Sequence, residues 1–189
     1  MENKIFLGGL GGQGVVLGGK LLGMAAVEAH QYATSYSEYA PAMRNGYTYT
    51  TLILSDREVG AQVTASYDCM AFFDEESCAA QSQCLKDGGC YIVNTSLVRT
   101  MPEGNRGTVY RIPASDIAEE LKNDRLLNVI MLGAVVEATG SVAPPVMEEV
   151  LRSAFGKKPR IAELNIAAFR RGMEAVRSQR AADEKGGSL

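Results

Sequence analysis

The sequence of 189 residues contains no tryptophan and only one histidine, His30. A Ser-His-Asp or Cys-His catalytic arrangement would therefore have to use that single imidazole. A metal site built from three histidines is excluded. The chain thus has few of the side chains with which an enzyme performs acid–base or nucleophilic chemistry on its own.

The sequence also lacks a basic field and long apolar segments. Its formal net charge is −3, whereas nucleic-acid-binding proteins usually carry excess Lys and Arg to neutralise phosphates. No run reaches the roughly 18–20 apolar residues that a membrane span requires, and the first residues do not resemble an export signal. We therefore expect a cytoplasmic protein that binds neither nucleic acid nor membrane.

Cysteines are few and widely spaced. The four of them are Cys69, Cys78, Cys84 and Cys90. Cytoplasmic thiols stay reduced, and ferredoxin-type cluster sites use gaps of two or three residues between cysteines. Here the gaps are eight, five and five residues. We interpret the four as buried or free thiols and predict no metal site in this chain.

The composition is that of an ordinary globular domain. Hydrophobic residues make up 46% and charged residues 22% of the chain, which is typical of folded proteins. The length fits one domain. We predict a single domain over residues 1–182, followed by a disordered polar tail over residues 183–189.

Strand and helix patterns alternate early in the chain, and helices dominate its last third. The strand patterns cover residues 5–7, 33–37, 47–54, 69–73, 91–93 and 108–112. The helix patterns cover residues 15–29, 75–85, 115–121, 126–139, 144–154 and 159–180. Residues 38–46 have a loop composition, and residues 59–63 are predicted to return antiparallel to 47–54. The sequence predicts an α/β fold with a mostly parallel sheet, one β-hairpin and a helical C-terminal third.

A glycine-rich loop connects the first predicted strand to the first predicted helix. Gly9, Gly11 and Gly14 match G-x-G-x-x-G in the strand-then-helix context that this pattern requires. Glycine lets bare backbone approach a ligand, and free N–H groups at a helix start favour phosphate. We predict a phosphate site formed by Gly9, Leu10, Gly11, Gly12, Gln13 and Gly14.

The acid that would complete a dinucleotide site is missing. Such a site uses an Asp or Glu about 20 residues further on, at the end of the second strand, to bind ribose hydroxyls. Residues 31–37 contain neither, and Glu38 opens the next predicted loop. Two alternatives therefore remain open: a free-standing NAD(P)- or FAD-dependent Rossmann oxidoreductase, and a purely structural subunit whose tight turn holds no ligand.

The helix after the loop contains three glycines, Gly18, Gly19 and Gly23. Each costs about 1 kcal/mol relative to alanine in a helix, so a compensating contact is expected. Gly19 and Gly23 lie one turn apart and flatten one face of the helix. That face allows close approach of another backbone, either the sheet of this chain or another subunit.

Two motifs together resemble the gamma subunit of 2-oxoacid:ferredoxin oxidoreductases. The first is the loop of residues 8–14, with Gly-Lys-Leu-Leu at 19–22. The second reads Tyr-Gly-Pro-Glu-Met-Arg-Gly-Gly in the family and Tyr-Ala-Pro-Ala-Met-Arg-Asn-Gly at residues 39–46 here. It departs at Ala40, Ala42 and Asn45. The resemblance spans nearly the whole chain, and further familial residues are Asn128, Leu132, Gly133, Asn165, Ala168, Phe169 and Gly172.

The resemblance implies a Rossmann-like domain within a multisubunit enzyme. Such enzymes convert a 2-oxoacid, coenzyme A and oxidised ferredoxin to acyl-CoA, CO2 and reduced ferredoxin. In the family, thiamine diphosphate with magnesium lies between alpha and beta subunits, and iron–sulfur clusters lie in beta or in a ferredoxin-like delta subunit. The family's Gly-Asp-Gly thiamine motif is absent here. The resemblance therefore implies coenzyme A binding and subunit contacts for this chain, no catalytic residues, and 2-oxoglutarate as the favoured 2-oxoacid.

The loop at residues 39–46 holds the remaining candidates. Arginine can bind a carboxylate or phosphate through two parallel hydrogen bonds, so Arg44 is predicted to contact coenzyme A or the thiamine-bearing subunits. A solvated arginine is the alternative. Tyr39 and Met43 are apolar for a loop, which fits either insertion into a partner surface or packing beneath the loop. The predicted interface residues are Tyr39, Pro41, Met43, Arg44 and Gly46.

Overall fold

The computed structural model describes residues 2–40, 47–60, 64–102, 107–156 and 158–186. A six-stranded sheet forms its centre. The strands are β1 (Glu2–Leu10), β2 (Tyr32–Ala40), β3 (Tyr47–Ser55), β4 (Tyr67–Phe72), β5 (Leu85–Asn94) and β6 (Gly107–Ile112). Their order in the sheet is β2-β3-β1-β4-β5-β6.

The sheet is parallel apart from one strand. β1, β4, β5 and β6 pair parallel to one another, whereas β3 is antiparallel to both β1 and β2. Ile5, Phe6 and Leu7 are all buried in β1, as is usual for a parallel strand covered on both faces. The predicted α/β class with a mostly parallel sheet is confirmed.

Helices cover the two faces of the sheet unequally. The helices are α1 (Val15–Glu28), α2 (Glu75–Gln81), α3 (Ala114–Glu120), α4 (Leu127–Thr139), α5 (Pro144–Phe155) and α6 (Pro159–Gly186). Ile5 and Leu7 belong to the large core beneath α1 and α3–α6. Phe6 faces the smaller aromatic core on the side of α2, because successive side chains of a strand point to opposite faces.

The β-hairpin pairs different segments from those predicted. β3 has β1 on one edge and β2 on the other along its full length, so no edge is left for residues 59–63. Residues 61–63 themselves lie outside the described residues. Residues 38–40, predicted as loop, extend β2, because they continue the ladder opposite residues 47–49.

Three further element boundaries differ from the prediction. The helix predicted over 75–85 ends at Gln81, and a 3-10 turn over Ser82–Cys84 leads into β5. The helix predicted from residue 115 begins one residue earlier, at Ala114, where the side-chain oxygen of Asn94 accepts from the backbone N–H of Ala114 and Ser115 at 3.1 and 3.4 Å. The predicted tail begins at residue 183, whereas α6 continues to Gly186. Residues 187–189 lie outside the described residues.

α4 and α6 approach each other through two glycines. A Cβ added at Gly133 of α4 would lie 2.0 Å from the carbonyl oxygen of Phe169, and one at Gly172 of α6 would lie 1.9 Å from that of Ile130. These distances are far below van der Waals contact. The two backbones therefore touch where the familial glycines lie, and no larger residue fits there. Within the described residues, no helix is both long and apolar enough to span a membrane.

Candidate functional site at the end of strand β1

The glycine-rich loop lies at the point in the sheet where the order of successive strands reverses. From β1 the chain passes through α1 to β2 on one side, whereas β4, β5 and β6 follow on the other side. β1 and β4 are adjacent and parallel, so their carboxyl ends meet at the same edge. Ligands of open α/β sheets bind in the crevice outside such a switch point. The loop that the sequence predicts to bind phosphate therefore lies at the usual ligand position of this fold class.

Two glycines of the loop have backbone conformations that favour glycine. Gly12 has φ +93° and Gly14 has φ +79°, and Gly14 is the residue before α1. Among the described residues, no atom lies within 4 Å of a Cβ added at Gly12. Gly18 N–H donates to Gly14 at 2.8 Å, which leaves the N–H groups of residues 15–17 without acceptors inside the helix.

Gln13 holds the loop closed on itself. Its side-chain oxygen accepts from the backbone N–H of Leu10 at 2.8 Å, and its own N–H donates to the Leu10 carbonyl at 3.2 Å. A Cβ at Gly9 would lie 2.6 Å from that side-chain oxygen, so Gly9 makes room for the contact. The Gln13 side-chain oxygen and the Leu10 N–H are therefore engaged with each other, and a ligand would meet the remaining amide groups of the loop.

Asp74 is a buried acid at this edge that the sequence alone did not single out. Phe73 N–H donates to Gly8 at 2.9 Å, which places the end of β4 against the loop. Asp74 is 5% exposed and caps α2, its Oδ1 accepting from Ser77 N–H at 3.0 Å. Its Oδ2 has no partner among the described residues, nor does the hydroxyl of buried Tyr47. In the sequence, the position of Asp74 between an apolar strand pattern and a helix pattern could have identified it.

We expect Asp74→Asn to stabilise the protein at neutral pH. Burial raises the pKa of the Asp74 carboxyl above its ordinary value, because a low-dielectric site disfavours the charged form. The folded state thus holds this proton more tightly than the unfolded state, and the contribution of Asp74 to stability falls as pH rises above about 4. Asparagine keeps the capping oxygen and cannot ionise.

Urea unfolding of both forms between pH 4 and 8 checks this expectation. The free energy of unfolding should be higher for Asp74→Asn at pH 7, and the difference should shrink as the pH falls towards 4. A difference that is constant with pH would show that Asp74 does not titrate between the folded and unfolded states.

The flat face of α1 packs on the sheet of the same chain. A Cβ at Gly19 would lie 2.4 Å from the methyl carbon of Thr50 in β3, so a larger residue would push the helix off this strand. Gly18 and Gly23 have only ordinary contact distances, 3.7 Å and 3.9 Å at the nearest. The sequence analysis left two partners open for this face, the sheet of this chain or another subunit, and in the structure the sheet of this chain packs against it.

The acid nearest to the ribose position does not face the loop. β3 lies between β1 and β2, so the end of β2 is one strand further from the loop than in a dinucleotide-binding sheet. Glu38 in β2 accepts hydrogen bonds from the hydroxyls of Tyr36, at 3.2 Å, and Tyr49. Its charge raises the pKa of Tyr36. The geometry thus disfavours a free-standing NAD(P) or FAD enzyme.

The second predicted motif lies mostly outside the described residues. Pro41, Met43, Arg44 and Gly46 lie outside these residues, whereas Tyr39 is described and is 64% exposed. Ala40 and Tyr47, which flank the segment, are paired, and Tyr47 is also paired with Leu10. Both ends of the segment therefore lie at the sheet edge that carries the glycine-rich loop.

Two of the four cysteines are neighbours across the sheet. Cys69 in β4 is opposite Cys90 in β5. A hydrogen bond from Cys69 to Cys90 and complete burial raise the pKa of the Cys69 thiol. All four cysteines are free. In the described ranges, no three His, Cys, Asp or Glu side chains converge as a metal site would require.

These features define a Rossmann-like domain with a glycine-rich loop at its switch point, and the comparisons identify its family. The model of the pyruvate ferredoxin/flavodoxin oxidoreductase family matches residues 4–175. The chain is 32% identical over 181 residues to the 2-oxoglutarate synthase subunit KorC of Methanocaldococcus jannaschii, covering 94% of this chain and 95% of that one. The chain therefore belongs to this family and is an oxidoreductase subunit of the gamma type, as the resemblance implied.

Solved structures share the fold. The gamma subunit of a keto/oxoacid ferredoxin oxidoreductase from Geobacter sulfurreducens superposes with a TM-score of 0.79 at 28% identity, covering 93% of this chain and 99% of that one. The 2-oxoglutarate:ferredoxin oxidoreductase of Magnetococcus marinus, solved with 2-oxoglutarate, coenzyme A and succinyl-CoA bound, gives 0.85 at 23% identity. This chain is 94% covered and spans 31% of that longer chain. The second likeness concerns the fold alone.

Proposed function

We propose that this chain binds coenzyme A within a 2-oxoglutarate:ferredoxin oxidoreductase and supplies no catalytic residue itself. The observation that carries the proposal is the loop of residues 8–14, which ends at the start of α1 beside the switch point. No atom of the described part of the chain lies within 4 Å of a Cβ added at Gly12 there, and free N–H groups at the helix start suit the diphosphate of coenzyme A. Arg44 is the proposed side-chain contact from the neighbouring segment.

Coenzyme A is favoured over a dinucleotide for two reasons. Glu38, the acid nearest to the ribose-binding position, is engaged by two tyrosine hydroxyls at the far side of β3. The related Magnetococcus enzyme was solved with coenzyme A bound. A site that holds a diphosphate without a ribose-reading acid fits coenzyme A better than NAD(P) or FAD. The similarity to KorC supports 2-oxoglutarate as the substrate of the complex.

The chemistry of the reaction then lies in other chains. Alpha and beta subunits would hold thiamine diphosphate with magnesium, which stabilises the carbanion formed on decarboxylation. A ferredoxin-like delta subunit would carry clusters and pass electrons to ferredoxin. This chain orients coenzyme A by its phosphates so that the thiol can reach the partner's active site, a contribution of position rather than of proton transfer.

The segment of residues 39–46 is the proposed contact with those partners. Tyr39 precedes it with a largely exposed ring, and exposed aromatic residues are enriched at interfaces. Both ends of the segment lie at the edge that carries the loop. A partner bound there would cover the coenzyme A site, which places the interface and the ligand at one edge of the sheet. Tyr39, Pro41, Met43, Arg44 and Gly46 remain the proposed interface residues.

Co-expression with the neighbouring genes tests the proposed function. The chain should copurify with its partners, and the complex should reduce ferredoxin with 2-oxoglutarate only when coenzyme A is added. The same partners expressed without this chain should lose that activity. If they form a fully active complex on their own, the proposed function is wrong.

A further inference from the structure

Cys69 and Cys90 lie on the same face of the sheet, and the other two cysteines lie on the opposite face. Cys69 belongs to the large core beneath α1 and α3–α6, and Cys90 packs against that core. Cys78 and Cys84 belong to the aromatic core on the side of α2. The sheet separates the two cores, so Cys69 is the one cysteine that shares a face with Cys90.

The strands β4 and β5 are close enough at this point for a disulfide. Cys69 and Cys90 are directly opposite each other in the parallel ladder, and adjacent strands lie about 4.8 Å apart. The Cα atoms of a disulfide are usually about 4.4–6.8 Å apart. Beside the pair, a Cβ added at Gly89 would lie 2.8 Å from the carbonyl oxygen of Asp68. The two backbones therefore approach each other closely next to both cysteines.

The two thiols differ in exposure and in acidity. Cys69 is fully buried, whereas Cys90 is partly exposed. The pKa of the Cys90 thiol is lowered, chiefly by the hydrogen bond from Cys69 and further by the positive charge of Arg180, which outweigh the opposing effects of burial and Asp68. Arg180 is fixed by hydrogen bonds to the Tyr110 hydroxyl at 2.9 Å and to two carbonyl oxygens at the end of α4. Because the thiolate is the reactive form of cysteine, Cys90 is the thiol that meets an oxidant first.

We infer that Cys69 and Cys90 form a reversible disulfide when the protein meets hydrogen peroxide. The Cys90 thiolate attacks one peroxide oxygen, so that an S–O bond forms, the O–O bond breaks and hydroxide leaves. Cys69 then attacks the Cys90 sulfur: the S–S bond forms, the S–O bond breaks, and the Cys69 proton leaves with the oxygen as water. The two sulfurs together lose two electrons, which the peroxide gains.

This pairing would protect Cys90 from irreversible oxidation. A sulfenic acid with no thiol beside it is oxidised further to sulfinic acid, which ordinary thiols do not reduce. Cys69 is hydrogen-bonded to Cys90 and is therefore placed to react before that step. A disulfide, in contrast, is reduced again by thiol exchange. The inference depends on the sheet alone and does not rest on coenzyme A binding by this chain.

Peptide mapping of the complete complex tests this inference. The complex is treated with hydrogen peroxide, its remaining thiols are blocked with N-ethylmaleimide, and this chain is digested with trypsin. Because trypsin cleaves after lysine and arginine, Cys69 and Cys90 fall on different peptides, residues 58–86 and 87–99. Mass spectrometry should find these two peptides joined. The free thiols of this chain should fall from four to two, since the disulfide consumes two of them, and dithiothreitol should restore all four.

Two variants separate the resolving thiol from a matched control. In Cys69→Ala the joined peptides should be absent, and Cys90 should accumulate first as sulfenic acid, which dimedone labels, and then as sulfinic acid. Cys84 is also partly exposed but lies on the opposite face. Cys84→Ala should therefore give the joined peptides in the same amount as the wild type.

Three results would overturn the inference. The first is a wild-type chain whose four thiols all stay free after peroxide treatment. The second is oxidation of Cys90 without any joined peptides. The third is joined peptides that persist in Cys69→Ala, because Cys78 or Cys84 would then be the partner. If Cys69→Ala does not fold, fragment spectra of the joined wild-type peptides identify the bonded cysteine and decide the question.

Discussion

Gly133→Ala should destabilise the protein by about 3 kcal/mol or more. The added Cβ would lie 2.0 Å from the Phe169 carbonyl oxygen, and a backbone carbonyl cannot rotate away as a side chain can. α4 and α6 would have to separate along their contact, which opens gaps elsewhere in a core packed at crystal-like density. Overpacking of this kind costs about 1–3 kcal/mol and sometimes more. Urea or thermal unfolding followed by circular dichroism measures the loss.

Gly23→Ala is the matched control for this experiment. Gly23 is also in a helix, but its added Cβ would meet only a Leu52 methyl group at 3.9 Å. Alanine is favoured over glycine inside helices by about 1 kcal/mol, so this variant should be neutral or stabilised. Glycine-to-alanine substitution is thus expected to lower the free energy of unfolding at Gly133, and to leave it unchanged or raise it at Gly23. A stable Gly133 variant would show that the helices separate at little cost.

The losses of stability caused by Gly133→Ala and Gly172→Ala should not be additive. Each substitution forces the same two helices apart, since Gly172 touches Ile130 one turn from Gly133. Once the first Cβ has separated them, the second meets less resistance. A double-mutant cycle should give a loss smaller than the sum of the single losses.

Gly12→Asp should raise the KM for coenzyme A of the complete complex by about tenfold or more relative to Gly12→Asn. The positive φ of +93° at this position lowers the stability of both variants. Asn and Asp are among the non-glycine residues that tolerate such a φ best. They differ in charge at nearly equal shape. A carboxylate beside the diphosphate would repel it by about 1.4 kcal/mol or more, which corresponds to about a tenfold loss of affinity or more.

Steady-state kinetics with saturating 2-oxoglutarate and ferredoxin measure this difference. Both variants should assemble with the partner subunits, because no atom of residues 2–40, 47–60, 64–102, 107–156 or 158–186 lies within 4 Å of a Cβ at Gly12. Gel filtration checks this. Equal KM values for the two variants would mean that no phosphate lies at the loop.

The glycine-rich loop was the part of the site that the sequence predicted best. Its pattern is local: a strand, glycines at fixed spacing and a helix, all within residues 5–29. The family followed from the same loop together with residues 39–46. Asp74 and Asn128 were not recognised as parts of the site, because they lie 60 or more positions further along the chain and only the sheet and α4 bring them to the loop.

The errors in the fold arose where local signals were ambiguous. Residues 38–40 contain no strong strand pattern, and β3 supplies the hydrogen-bonding partners that make them a strand. Residues 59–63 have strand-forming composition, but both edges of β3 were already occupied. Pairing depends on which edges remain free, and composition does not contain that information.

The sequence alone determined the α/β class and the loop, because turn chemistry and strand and helix periodicity are properties of neighbouring residues. The family came from the resemblance of two short motifs to known gamma subunits. Tertiary structure decided which strand separates β1 from β2, why Gly133 and Gly172 must be glycine, and that Asn128 of α4 contacts Gly14 at the end of the loop. These features depend on distances between segments far apart in the chain, which only packing of the whole core sets.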